Sequence, residues 1–137
     1  IKYGSYARQI EYKKMALRNG FDDALFYDEQ SKEFLELTTS NIIFVDKKGA
    51  FFTPKGDHFL KGVTLKQFES YLHFDHKELN YEGVLMEDIQ GYEYAFALNA
   101  VSLLTYIESI GNEEFNNNRS AFTALQIEFM NYLEREF

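Results

Sequence analysis

Apolar residues recur at helical spacing close to the C-terminus of the chain. Phe122, Leu125, Phe129, Leu133 and Phe137 lie three or four residues apart, which predicts a helix over residues 120–137 with one apolar face. We interpret that face as a surface that packs against the core or against a second copy of the chain.

Two more helices are predicted from their start and stop signals. The first covers residues 6–18, because Ser5 is a good N-cap and Asn19-Gly20 is a good helix end. The second covers residues 64–73 and follows Gly62.

Short apolar runs separated by turn residues predict strands through most of the remaining chain. These runs are residues 24–27, 34–35, 41–45, 50–53, 94–98 and 105–110, with turns at 28–32 and 46–49 and a loop at 112–118. Because several strands follow one another closely, antiparallel pairing is favoured. The predicted class is α+β, with mostly antiparallel strands flanked by helices.

Composition narrows the classes of function. A chain of 137 residues suits one domain. Lys and Arg number 14 against 22 Asp and Glu, giving a net charge of −8, so we predict no nucleic-acid partner. The absence of Cys excludes disulfides and Cys-ligated metals, and no apolar run has the length of a membrane span. We therefore predict no membrane partner.

One pair of histidines has a spacing that metal sites use. His73 and His76, with Asp75 between them, can share a helix face, but the sequence offers no third ligand. We interpret the pair as a solvated helix end and predict no metal site.

Four segments, taken in order and spacing, resemble the second half of one enzyme family. They are residues 1–6 (IKYGSY), 36–45 (ELTTSNIIFV), 53–54 with 60–64 (TP and LKGVT) and 98–101 (LNAV), and residues 20–25 (GFDDAL) match the family's linker. The family is the class IV aminotransferases, the fold type IV pyridoxal phosphate enzymes. It includes branched-chain and D-amino acid aminotransferases and 4-amino-4-deoxychorismate lyases.

The resemblance implies pyridoxal 5′-phosphate (PLP) as cofactor and assigns its catalytic contacts. Lys2 matches the lysine that forms the Schiff base and then acts as general base on the substrate Cα. Glu36 matches the carboxylate that keeps the pyridine nitrogen protonated, and Asn41 is expected to fix the turn that follows. Tyr6, with Tyr3 as competitor, is the candidate donor to the cofactor's phenolic oxygen.

Two further segments match the family's contacts to phosphate and substrate. The amides of Val63 and Thr64 open a helix after Gly62, which suits a phosphate dianion, although Leu65 stands where the family usually has Arg. Asn99 and Ala100 occupy the place of a Thr-Ala pair that helps to hold the phosphate and the substrate carboxylate. An Asn-Ala pair is closer to the lyases, so transamination and pyruvate-eliminating lysis both stay open.

The resemblance also carries expectations about the whole protein. Residues 1–137 are expected to be the C-terminal cofactor-binding domain, with the family's N-terminal small domain outside this chain. The intact enzyme is expected to be a cytoplasmic homodimer that acts on an amino acid or on aminodeoxychorismate. The alternative is a non-catalytic domain of the same fold that serves binding or assembly.

Overall fold

The structure is a computed structural model that describes residues 6–55, 62–115 and 118–136. The order of elements is α1 (Tyr6–Arg18), β1 (Leu25–Tyr27), β2 (Phe34–Leu37), β3 (Asn41–Asp46), β4 (Phe51–Thr53), α2 (Val63–Phe74), β5 (Leu79–Tyr81), a 3₁₀ helix (Met86–Gly91), β6 (Tyr92–Asn99), β7 (Leu103–Ile107), β8 (Ser109–Ile110), β9 (Glu113–Glu114) and α3 (Arg119–Glu136). The α+β class is therefore confirmed.

Five strands form the main sheet in the order β5-β4-β3-β6-β7. All its pairs are antiparallel except β4 with β5, which are parallel. Strand β3 lies at the centre, and its first five residues are buried, as expected for a continuous apolar run covered on both faces. The strands β1 and β2 form a separate antiparallel ribbon.

Each face of the main sheet is covered by aromatic packing. On one face, Phe68 of α2 makes edge contacts with Phe96 of β6 and with Phe129 of α3. On the other face, Phe34 of the β1–β2 ribbon stacks on Phe44 of β3 at 5.5 Å between ring centroids. Aromatic pairs of this kind bury apolar area and also prefer particular ring orientations. They therefore fix the positions of the helices and of the ribbon on the sheet.

The predicted helices are confirmed within a residue or two. Helix α1 ends where predicted, with the Asn19 side chain donating to the Met15 carbonyl and Gly20 at φ +86°. In α3, the predicted apolar face is core, although Leu133 is only partly buried and Tyr132 takes the fully packed position beside it. Phe137 lies outside the described residues.

The predicted strand over residues 105–110 is wrong in its extent. Strand β7 ends at Ile107, and the chain turns away into the small β8–β9 ribbon, which lies partly inside the predicted loop at 112–118. The reason is local: the Glu108 carbonyl accepts a hydrogen bond from the Phe115 N–H at 2.8 Å, and Gly111 turns the chain at φ +60°. Strand β5 and the 3₁₀ helix were not predicted.

Over the described residues, no helix combines the length and the apolar character that crossing a membrane would need.

Candidate active site

A cavity of about 310 Å³ lies where β2 ends, β3 and α2 begin, and β6 ends. It is lined by Gln9, Glu36, Thr38, Thr39, Ser40, Asn41, Gly62, Val63, Thr64, Leu98, Asn99 and Ala100. The fold thus brings together five of the residues predicted from sequence, although they are distributed over three segments of the chain. The volume lies within the range of about 300–1,000 Å³ that small-molecule sites occupy.

The remaining two predicted residues precede this part of the chain. Lys2 lies outside the described residues, as does its neighbour Tyr3. Tyr6 is the first residue of α1, and its side chain is not described. Gln9, one turn later on the same helix, lines the cavity, so the start of α1 borders the site.

Glu36 brings a buried carboxylate to the wall of the cavity. Its exposed fraction is 7%, and none of the described residues donates a hydrogen bond to it. Burial raises the pKa of Glu36 from 4.5 to about 7. A carboxylate in this position is stabilised by a cation or an N–H donor that enters the cavity, and a protonated pyridine nitrogen is such a group.

The start of α2 supplies free backbone donors to the same cavity. The first intrahelical hydrogen bond runs from the Lys66 N–H to the Gly62 carbonyl, and Gly62 has no side chain to cap the helix. In the described part of the chain, the amides of Val63 and Thr64 therefore have no acceptor. The Val63 side chain is 67% exposed, so this residue offers its amide rather than its side chain. Free amides at a helix N-terminus fit a phosphate group.

A side-chain hydrogen bond joins the two halves of the site. The Gly62 N–H donates to Asn41 Oδ1 at 3.0 Å, so the start of β3 is tied to the start of α2. This bond reaches across 21 residues, beyond the turn that Asn41 was predicted to fix. A Cβ atom placed on Gly62 would meet the same Asn41 Oδ1 at 3.0 Å, which leaves little room for a larger residue.

If the cavity binds PLP, as the family resemblance implies, replacing Gly62 by Ala is expected to weaken that binding about tenfold, which corresponds to about 1.4 kcal/mol. The reason is that the added methyl group pushes Asn41 and the start of α2 apart by a few tenths of an ångström. The backbone angles at Gly62 suit Ala, so thermal unfolding of the cofactor-free protein should change little. Fluorescence titration with PLP measures the effect. Gly91→Ala, at a position with open space around the added Cβ, is the control. Equal affinities of the two variants would contradict the close fit.

The side chain of Asn99 is engaged within the fold. Its Oδ1 accepts hydrogen bonds from the N–H groups of Val101 (3.0 Å) and Ser102 (2.8 Å), which shapes the β6–β7 turn. Its Nδ2 donates to Ser40 Oγ at 2.9 Å. Asn99 therefore positions the turn that carries Ala100 at the cavity wall, and its amide retains one N–H for a ligand.

Leu65, which stands where the resembling family has Arg, does not line the cavity. It is fully buried in the hydrophobic core with Phe68 and Leu72 of the same helix. The departure from the family pattern therefore changes the core beneath α2 and leaves the lining of the cavity intact.

The candidate histidines take no part in the site. His73 and His76 are exposed at the end of α2. Within the described ranges, no three His, Cys, Asp or Glu side chains are grouped as metal ligands would be.

The sequence did not identify three residues that shape the site. Thr38 and Ser40 line the cavity, and Asp23 accepts a hydrogen bond from the Thr38 hydroxyl. The run of polar residues between Glu36 and the apolar strand β3 could have indicated that Thr38 and Ser40 line the site. No local pattern indicated Asp23, whose contact with Thr38 spans 15 residues.

Comparisons with known proteins place the chain in a family. The family model described as "Amino-transferase class IV" matches residues 1–110. A probable branched-chain-amino-acid aminotransferase of Rickettsia bellii is 33% identical over 120 residues, which are 85% of this chain and 41% of the relative. A branched-chain-amino-acid aminotransferase of Helicobacter pylori is 27% identical over 124 residues, or 88% of this chain and 35% of that protein.

Solved structures share the fold. A putative 4-amino-4-deoxychorismate lyase of Legionella pneumophila has a TM-score of 0.81 at 22% identity, covering 90% of this chain and 46% of its own. An aminotransferase of Brucella abortus bound to PLP has a TM-score of 0.79 at 21% identity, and the match covers 93% of this chain and 45% of that aminotransferase. The chain therefore spans less than half the length of these relatives. With the family model matching most of its residues, the chain belongs to the class IV aminotransferase family.

Proposed function

We propose that this chain is the cofactor-binding domain of a PLP-dependent enzyme, with Lys2 as the covalent attachment point and general base. One observation carries the proposal: the buried carboxylate of Glu36 and the amides of Val63 and Thr64, none of which has a hydrogen-bond partner among the described residues, line the same cavity. The carboxylate is matched to the protonated ring nitrogen of PLP, and the amides are matched to its phosphate.

In this proposal, each residue of the site has a distinct chemical role. Bound PLP supplies an electron-withdrawing ring that makes the substrate Cα proton removable. Glu36 holds a proton on the ring nitrogen, while Val63 and Thr64 anchor the opposite end of the cofactor. Lys2 accepts the Cα proton, Tyr6 donates to the phenolic oxygen, and the turn at Asn99 and Ala100 binds the substrate carboxylate.

Transamination of a branched-chain amino acid is the leading reaction, because the curated relatives that this chain matches carry that name. The lyase reaction on 4-amino-4-deoxychorismate is the second candidate, since it fits the Asn99-Ala100 pair and the fold is shared with a putative lyase. Keto acid formation from leucine and 2-oxoglutarate, against pyruvate release from aminodeoxychorismate, separates the two. We further propose that the enzyme is a cytoplasmic homodimer, as the family resemblance implies.

Visible absorbance, borohydride reduction and peptide mapping test the cofactor assignment. The intact protein is mixed with PLP, reduced and digested, and the expected product is a phosphopyridoxyl group on Lys2. The absence of visible absorbance from bound cofactor, or an adduct on a different lysine, would favour the non-catalytic alternative in which the fold serves binding or assembly.

A further inference from the structure

A three-residue network lies directly behind the cavity. Asp23, in the loop between α1 and β1, accepts hydrogen bonds at Oδ1 from the Thr38 hydroxyl and from the Ala24 N–H (2.8 Å). Lys13 of α1 places its Nζ 3.8 Å from Asp23 Oδ2. The network therefore links α1 and the following loop to the segment between β2 and β3.

Thr38 is the member of the network that reaches the site. It is 3% exposed, and both Thr38 and Glu36 line the candidate cofactor cavity. Leu37 between them lines a second cavity of about 740 Å³, to which Asp23 also contributes. The segment from Glu36 to Thr38 thus forms a wall between two cavities, and Asp23 holds this wall from the far side.

The hydrogen bond also fixes what Thr38 can offer to a ligand. A hydroxyl has one proton, and Thr38 gives it to Asp23, so toward the cavity Thr38 can only accept a hydrogen bond. An acceptor next to the Glu36 carboxylate suits a protonated ring nitrogen and disfavours a phosphate. The network thereby supports an orientation of the proposed cofactor in which its ring nitrogen lies at Glu36 and its phosphate lies at the start of α2.

The carboxylate of Asp23 is the strong element of the network. A hydrogen bond to a charged acceptor is about twice as strong as a neutral one. The Lys13 contact is longer and partly exposed to solvent, so it contributes less. Lys13 supplies a compensating charge, and the hydroxyl–carboxylate bond fixes the geometry.

We propose that Asp23 is a positioning residue that acts through Thr38 to hold the Glu36 carboxylate against the ring nitrogen of the cofactor. This inference rests on the proposed function. Asp23 does not itself line the cofactor cavity, so its effect on the bound cofactor is transmitted by the Glu36–Thr38 segment.

The test compares Asp23→Ala, Thr38→Val and the double variant in the intact enzyme. Each single variant is expected to weaken PLP binding about tenfold, by fluorescence titration of the cofactor-free protein, and to shift the pH midpoint of the bound cofactor's visible absorbance. The two shifts should have the same direction, because both variants release Glu36 from the ring nitrogen. The double variant should be no weaker than either single one, since both remove the same bond.

Two further variants separate positioning from general destabilisation. Asp23→Asn keeps an oxygen that can accept both bonds, so it should retain most of the affinity and the wild-type pH midpoint. Asp22→Ala removes the exposed neighbouring carboxylate and should match wild type in both measurements. If Asp23→Ala does not fold, Asp23→Leu, which is close to Asp in shape, takes its place, because Thr38→Val also removes the acceptor that Thr38 offers to the cavity.

The outcomes distinguish this inference from the proposed function. Wild-type protein that binds PLP, together with Asp23→Ala or Thr38→Val at an unchanged pH midpoint, overturns the role of Asp23 and leaves the cofactor assignment standing. Wild-type protein that fails to bind PLP overturns both.

Discussion

Replacing Glu36 by Gln is expected to slow turnover on the order of 10²- to 10³-fold while the cofactor stays bound. The amide of Gln cannot hold a proton on the ring nitrogen, so negative charge that develops at the substrate Cα is less stabilised. The phosphate contacts at Val63 and Thr64 are untouched, so PLP affinity should fall far less than turnover. Single-turnover rates of Cα deprotonation, compared with equilibrium PLP titration, measure the two effects separately.

The same substitution is expected to stabilise the cofactor-free protein at alkaline pH. Glu36 has a pKa near 7 when folded against 4.5 as its ordinary value, so the folded state holds a proton that the unfolded chain has lost. Wild-type stability therefore falls as pH rises from 4.5 to 7, by about 3 kcal/mol in total, and stays low above pH 7. Glu36→Gln has no such loss, and its free energy of unfolding should exceed that of wild type at pH 8 but not at pH 4.5.

Glu33→Gln is the matched control, because it makes the same chemical change three residues earlier and outside the cavity. Denaturant unfolding of the three proteins at both pH values shows whether the pH-dependent difference belongs to Glu36. A Glu36→Gln protein with wild-type turnover would remove Glu36 from the electron-withdrawing role, and a pH-independent stability difference would contradict its burial as a carboxylate without a partner.

Replacing Lys2 by Ala is expected to abolish the visible absorbance of attached cofactor and to lower turnover by at least about 10⁴-fold. Lys2 is assigned both the covalent attachment and the general-base step, and loss of a general base alone costs up to about 10⁴-fold. Free PLP should still bind, more weakly, through its phosphate. Lys14→Ala, which removes an exposed lysine on α1, should keep colour and activity. Turnover that survives in the Lys2→Ala protein would refute the assignment.

Local signals in the sequence were sufficient to predict most of the helices and strands. Helix α1 was predicted with its observed bounds because both of its ends carry specific residues, and the turn at Gly49 connects β3 to β4 as expected. Strand β5 was missed because three residues carry too little periodicity, and it is held by parallel pairing with β4, a tertiary contact. The early end of β7 depends on the Phe115–Glu108 bond, which no local pattern encodes.

In the candidate site, too, local motifs identified the residues but not the bonds that hold them. Glu36, Val63, Thr64, Asn99 and Ala100 were identified from motifs, and the structure places all five around one cavity. The bonds that hold them were not predictable, because each joins residues that are far apart in the chain. Asn41 with Gly62 spans 21 residues, Asn99 with Ser40 spans 59, and Asp23 with Thr38 spans 15.

The central place of β3 has a consequence for synthesis and refolding. One neighbour, β4, follows directly through a hairpin, whereas the other, β6, comes roughly fifty residues later. At about 5–20 residues per second, a ribosome leaves that edge of β3 without its partner for several seconds. The exposed edge carries Ile42, Ile43, Phe44 and Val45, an uncharged and strongly β-forming run. We expect aggregation of nascent or refolding chains to start there, and chaperones that shield extended apolar segments to improve the yield of folded protein.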